Sequence, residues 1–432
     1  MPAHAAAIDP VAAWLAADDH ACLLHAARHH PRWANRSILG RPHGAWVFTA
    51  DGRSVWLGPD EPNLSFTHDP FADLDALLAD DPDATWIGYL SYDLGRHIES
   101  IARIATDDRG WPLAVLHRCP TAETFSLHDN PPPPPPPDAS LRLGPVGSTF
   151  TARAYQHAVA HVIERLHAGD AFEVNLATRL TAEFLGRPRD LFLALLERSP
   201  AWFAAYLPLP DLGDQTTRAI ASVSPELFLE LAPDGSVTTR PIKGTRRAGE
   251  SAVRHPHADL TDSAKDRAEL AMVVDMLRND LGRVADFGSV RVDQPRVIER
   301  HPGIDHAVAT VTAALRPDAS PGDLLRATLP GGSITGAPKV QAMTMIERLE
   351  PVRRGPYCGA IGWLRGRSMT VSLAIRTACV TRDRATGGGV ADFHVGSGIV
   401  ADSIPRAEWR ETLHKAKPFR DAARPRRHPA NG

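Results

Sequence analysis

Cysteine is scarce in this chain, with four in 432 residues at Cys22, Cys119, Cys358 and Cys379. None forms a C-x-x-C pair, so neither a zinc knuckle nor a disulfide framework is indicated, and the expectation is reduced thiols in a cytoplasm. An excess of either charge is missing too. Lys and Arg number 48 against 51 Asp and Glu, for a net charge of −3, which leaves no polycationic footprint for nucleic acid. The basic stretch Arg420 to Arg427 reads as a solvated end. No apolar run approaches the ~20 residues that a membrane-spanning helix needs. Met1 to Asp9 lacks the basic-then-apolar order of a secretion signal. Absent as well is a Walker A loop: Ala337, not lysine, follows Gly336, which disfavours a nucleotide triphosphatase.

What is present is an ordinary globular composition, 43% apolar and 23% charged, enough for one large domain or two ordinary ones. Residues 1–130 form a mixed N-terminal region. It begins with a helical stretch from Pro10 to Ala17, followed by a hairpin turning at Asp51-Gly52 and a buried strand Trp86 to Leu90. Seven prolines, Pro131 to Pro137, open a linker or loop over 131–148, since such a run favours polyproline II. A core over 149–418 and a tail over 419–432 complete the division.

In the core, Tyr155, Val159, Val162, Ile163 and Leu166 recur at helical spacing, with Gly169 as the stop. Phe172, Val174 and Leu176 alternate with Glu173, Asn175 and Ala177, the pattern of a half-buried strand. Leu191 to Leu196 reads as a helix. Extended structure over 219–231, broken at Pro225, leads to a turn at Pro233-Asp234-Gly235 and then to Pro241-Ile242-Lys243-Gly244-Thr245. A long helix is expected over 262–281, capped by Asp262 or Ser263. Further strands are expected over 287–292, 359–364, 369–380 and 391–396, with a helix from near Pro405. Strands outnumber βαβ units, so the fold class is α+β with antiparallel pairing rather than a doubly wound sheet.

Five features could carry chemistry. Lys243, held at a strand end beside a glycine, suits a nucleophile or an anion clamp. Asp266 and Glu269, like Glu408 and Glu411, are three residues apart on a helix, and two such pairs with no Cys or His cluster suit Mg²⁺. The glycine-rich stretch from Pro330 to Lys339, holding Ser333 and Thr335, runs into a helix start that attracts an anion, a carboxylate by preference. Arg376, in the apolar run Leu373-Ala374-Ile375-Arg376, is a costly inward charge unless it faces an anion, and Gly396-Ser397-Gly398 permits close backbone approach to a ligand.

Lys265-Asp266-Arg267-Ala268-Glu269, Arg278-Asn279-Asp280-Leu281-Gly282-Arg283, the Pro330-to-Lys339 loop, Tyr357-Cys358-Gly359-Ala360-Ile361-Gly362 and Gly398-Ile399-Val400-Ala401-Asp402-Ser403 occur in that order. Together they resemble the chorismate-utilising enzymes, which comprise anthranilate, aminodeoxychorismate, isochorismate and salicylate synthases. The resemblance implies a large antiparallel-rich β-sandwich core with helices packed on its outer faces. It implies Glu269 and Glu411 as principal Mg²⁺ ligands, supported by Asp266 and Glu408. Tyr357, Arg376, the Gly396–Gly398 backbone and Lys415 are implied around the substrate, His306 near the departing hydroxyl, and Glu226 as a proton shuttle. Lys243 stands where anthranilate synthases have alanine. The Pro-Ile-Lys-Gly-Thr form is that of aminodeoxychorismate synthases, which implies that Lys243 adds covalently to the ring before ammonia displaces it. Its amine must be neutral to attack, so its pKa is expected to be lowered by burial or by Arg246 and Arg247. Glu173 occupies the position of the lysine base in isochorismate and salicylate synthases, where the ammonia-using members usually carry glutamine. No glutaminase signature is present, so ammonia is expected from a glutamine amidotransferase subunit in a heterodimer. The alternatives are anthranilate synthase component I and a non-catalytic chorismate-binding homologue.

Overall fold

A computed structural model describes residues 9–127, 130–246, 264–301 and 304–422. Two antiparallel sheets make the framework, and every strand pairing within them is antiparallel. In the first sheet, Gly336–Ala337 lies at one edge, followed by Glu173–Leu185, Gly389–Ile399, Thr377–Asp383, Thr216–Ser224 and Phe203–Pro208. Cys22–His25, Arg36–Gly40 and Ala122–Ser126 continue it. The second sheet begins with Ile242–Arg246 and Ile304–Ala314 and passes through Ser236–Thr239, Leu227–Leu231, Ser368–Leu373 and Ala360–Arg365. It ends with Thr85–Leu90, Ala114–Cys119, Ala45–Phe48 and Ser54–Leu57. Strands from the first 130 residues therefore extend both sheets, with Leu23 opposite Tyr206 in one and Gly88 opposite Gly362 in the other.

The sheets pack face to face through an apolar layer that includes Ile38, Leu207 and Ile220 from the first and Val47, Ile87, Tyr89 and Ile361 from the second. Helices cover the outer faces. Pro10–Ala16 and Pro188–Arg198 lie over the first sheet, with Trp14, Phe192 and Tyr206 in ring contact. Pro70–Asp80, Ala264–Gly282 and Pro321–Thr328 share an apolar cluster with the second sheet. The core is thus an α+β sandwich with helices on its outside, as expected.

Several elements form for legible reasons. The hairpin at Asp51-Gly52 uses the left-handed φ of Gly52, and that at Asp234-Gly235 uses Gly235. Ala152–His167 is capped by the Thr151 side chain and buries Tyr155, Val159, Val162 and Leu166 on one stripe. Other expectations are corrected. The run 369–380 is two strands, broken at Ala374 to Arg376, where Arg376 takes a φ of 51°. The strand expected over 287–292 begins at Arg291. Val174 and Leu176 are buried as the alternation predicts, but Phe172 is exposed while Glu173 is buried, so the pattern fails at the strand's start. The proposed caps Asp262 and Ser263 lie outside the described residues.

The break at Pro225 has a larger meaning than a bend. Thr216–Ser224 belongs to the first sheet and Leu227–Leu231 to the second, so the chain crosses between sheets at Pro225-Glu226. It crosses back at Ala374 to Arg376. The two crossings hydrogen-bond each other: Leu373 N–H donates to the Glu226 carbonyl at 3.1 Å, and Val223 N–H to the Arg376 carbonyl at 3.1 Å.

Candidate active site

Those crossings bring Glu226 and Arg376 together between the sheets, near the strands that carry Glu173 in one sheet and Lys243 in the other. Glu226 is buried, and burial pushes its carboxyl up to about 7, against the Ser333 hydroxyl, the Ile242 N–H and the charges of Lys243 and Arg376. Ser333 Oγ donates to Glu226 Oε1 at 2.9 Å, so this loop residue serves the carboxyl directly. Burial lowers the Arg376 pKa, and the Glu226 charge opposes the shift. A guanidinium held there beside a carboxyl that is half neutral near pH 7 is set to receive an anion.

Lys243 reaches across from its edge strand to the other sheet, where its Nζ donates to Glu173 Oε1; the side chains are 11% and 2% exposed. Burial alone would pull the amine down, but Glu173, Glu269 and Glu226 outweigh it and hold the pKa above its ordinary value. The direction is the reverse of the expected lowering, because the surrounding carboxylates favour the ammonium. Arg247, one of the cations expected to lower it, lies outside the described residues. Gly398 makes the pair possible, because a Cβ there would meet Glu173 Oε1 at 2.1 Å and Lys243 Nζ at 3.0 Å.

His306 is buried on Ile304–Ala314, in register with Thr245 of the lysine strand. Tyr357 is buried and stacks on His394, ring centroids 5.1 Å apart. Gly396 faces Ala177 in the register of the first sheet, and its carbonyl accepts from Lys415 Nζ at 2.8 Å. Lys415 also meets Glu411 at 2.9 Å. Thr335 turns away from any ligand: fully buried, its hydroxyl donates to the Gly331 carbonyl at 2.9 Å and holds the loop closed. Nor does the helix that follows offer a free start, since Pro338 is its cap and Lys339 turns inward to Asp280 at 2.6 Å.

The four acidic candidates sit on two helices. Asp266 is buried and Glu269 half-buried on Ala264–Gly282; on Pro405–Lys415, Glu408 is buried and accepts from Ser403 Oγ at 2.8 Å, while Glu411 is exposed. Among the described residues no three Asp, Glu, His or Cys side chains come together at metal-holding distance.

Sequence reasoning missed the support behind these groups. Arg354, buried, donates to the carbonyls of Ile334 at 2.9 Å and Asn175 at 2.7 Å and pairs with Glu350 at 2.6 Å. It thereby ties the glycine-rich loop to the strand that starts at Glu173. Three buried polar atoms nearby lack a hydrogen-bond partner: Glu173 Oε2, Asn175 Oδ1 and His394 Nε2. A separate cavity of about 90 Å³, lined among others by His25, Trp33, Trp202 and Trp363, opens between the sheets and is lined by none of the candidate site residues.

Comparison with known proteins agrees with this geometry. The family model described as chorismate binding enzyme matches residues 45–421. Aminodeoxychorismate synthase component 1 of Escherichia coli strain K12 is 37% identical over 429 residues, covering 91% of each chain. Anthranilate synthase component 1 of Pseudomonas aeruginosa is 40% identical over a shorter 273 residues, 62% of this chain and 53% of its own. The crystal structure of anthranilate synthase component I from Streptococcus pneumoniae superposes with a TM-score of 0.75 at 27% identity, covering 98% of both chains. With a matching family model over residues 45–421 and a relative 37% identical over 91% of its length, the chain belongs to the chorismate-binding enzymes.

Proposed function

We propose that the cleft converts chorismate and ammonia to 4-amino-4-deoxychorismate and water, the reaction named for the relatives that match along most of the chain. The observation that carries this reading is Lys243, whose amine enters the cleft between Glu173 and the Glu226–Arg376 crossings. Anthranilate formation, as named for the Pseudomonas relative, is the second reading, and the alanine that the resemblance gives those enzymes at this position counts against it.

Arg376, with Tyr357 and the Gly396–Gly398 backbone, holds the substrate carboxylates. The neutral Lys243 amine attacks ring C2, and the C4–O bond breaks. Glu226, half protonated near pH 7, gives its proton to the departing oxygen, which leaves as water; His306 steadies that hydroxyl. Ammonia then forms the C4–N bond as the C2–lysine bond breaks.

The acidic residues fit Mg²⁺ by donor chemistry, since all are oxygens and this ion commonly takes one or two protein carboxylates and completes its shell with water and substrate oxygens. Glu269 and Glu411, with Asp266 and Glu408 behind them, would hold it, and it would neutralise the ring carboxylate and polarise the ring.

Ammonia comes, on this reading, from a separate glutamine amidotransferase subunit in a heterodimer, and the product feeds p-aminobenzoate and folate synthesis in the cytoplasm. All four cysteines are free and buried, and no helix among the described residues is long and apolar enough to cross a membrane. The test is product identification from chorismate, Mg²⁺ and ammonium. A product that a lyase converts to p-aminobenzoate supports the reading, and direct anthranilate fluorescence overturns it.

A further inference from the structure

We propose that Glu173 is the base that activates Lys243, taking the Nζ proton before attack and returning it when the amine leaves. This rests on the covalent role of Lys243 given above. Three observations carry it. Glu173 Oε1 already accepts a hydrogen bond from Lys243 Nζ, so the proton moves along an existing contact between strands of the two sheets. Glu173 Oε2 is buried with no hydrogen-bond partner, so the contact with Lys243 is the one hydrogen bond this carboxylate makes among the described residues. Gly398 leaves the space the pair occupies, and any larger residue there would push the two groups apart.

The charged groups facing Lys243 show why a base is needed. Glu173 from its strand, Glu269 from the helix Ala264–Gly282 and Glu226 from the sheet crossing all favour the ammonium, and Arg376 is paired electrostatically with Glu226. An ammonium has no lone pair to attack with. In the step proposed, the Nζ–H bond breaks and an Oε1–H bond forms, leaving a neutral amine beside a neutral acid. The lone pair then forms the Nζ–C2 bond as the C4–O pair departs with the Glu226 proton. When ammonia bonds to C4, the C2–Nζ bond breaks toward nitrogen, and the released amine recovers its proton from Glu173. Glutamine, which the resemblance puts at this position in many ammonia-using relatives, can hold an amine but cannot take its proton. This chain therefore carries its base internally, where a glutamine-bearing site must lose that proton to solvent.

The test is Glu173→Gln, read by pH profile and by labelling. With the carboxylate, the pair keeps one shared proton and activity does not depend on solvent removing it. Without it, only the fraction of Lys243 already neutral reacts, so the ratio of variant to wild-type rate should climb about tenfold per pH unit across neutrality. Labelling of Lys243 by an amine-reactive reagent, followed by mass spectrometry, should be faster in Glu173→Gln at neutral pH. Glu173→Asp, which keeps an acceptor, should restore the wild-type profile. A rate ratio that does not change with pH, together with unchanged labelling, overturns the role of Glu173. If the wild-type product is anthranilate, it is the reading of the reaction that falls, so the two failures are distinguishable.

Discussion

Two buried lysines in this chain meet a carboxylate, and their surroundings differ in what they leave over. Lys339 Nζ donates to Asp280 at 2.6 Å and to the Thr328 carbonyl at 3.2 Å, linking the start of Lys339–Leu349 to the long helix. Burial pulls Lys339 down and Asp280 up, each opposed by the partner's charge, so the pair is balanced and closed. Lys243 faces three carboxylates and is pushed up, while the Glu173 oxygen it does not touch stays without a partner. A buried lysine whose neighbours are all satisfied is a fastener; one with surplus acid around it has somewhere to send a proton.

The comparison can be broken most severely at Lys243. Lys243→Ala should reduce aminodeoxychorismate formation from chorismate and ammonium to background, and unchanged output would undo the covalent step. Next in size is Glu226→Gln, which keeps the Ser333 contact but removes the acid; kcat/KM should fall about 10²–10⁴-fold. In wild type, activity that depends on the neutral carboxyl should decline as pH rises through about 7, a limb that Glu226→Gln should lack.

Stability sharpens the contrast. Lys339→Ala leaves Asp280, 2% exposed, with only the looser contact to Arg283 at 3.9 Å, and should cost about 3 kcal/mol in urea unfolding. Glu226 works in the opposite sense with pH. Its folded value lies above the unfolded one, so the native state holds a proton that the unfolded chain has lost, and stability falls as pH rises from 4.5 through about 7. That difference corresponds to about 3 kcal/mol, and Glu226→Gln should abolish it, as measured by denaturant midpoints across that range. The smallest effect is expected from replacing both Lys339 and Asp280 with Met and Leu, which should restore most of the loss from Lys339→Ala because no charge then remains buried. A double variant as unstable as the single one would show that the pair does more than balance itself.

The hairpin that delivers Lys243 was readable from Pro233-Asp234-Gly235, because turn chemistry is local. The helical stripe of Tyr155 to Leu166 was readable for the same reason. What the local pattern could not give is which sheet a strand joins. Pro225 marked an interruption, but the passage to the other sheet depends on pairings with residues more than a hundred positions away, such as Ser222 with Thr377 and Leu227 with Ser372. Glu173 was misplaced by alternation because Lys243, seventy positions away, reaches across from the other sheet and covers its carboxylate, a contact that no local pattern carries. Phe172, one residue earlier, lies beyond that cover. Glu226 and His306 carried no local signal at all and were found through resemblance alone.

The two sheet crossings have a consequence for how such a cleft can change over generations. Glu226 and Arg376 are fixed by backbone bonds between the crossings themselves, whereas Lys243, on an edge strand, and Glu173, at the start of the strand beside Gly336–Ala337, meet only through their side chains. On the proposed reading, a substitution at 243 or 173 would alter which small molecule attacks the ring without disturbing the part that grips it. Inheritance can therefore tinker with the incoming reagent while the hold on the shared substrate stays constant, and one scaffold can give rise to several synthases.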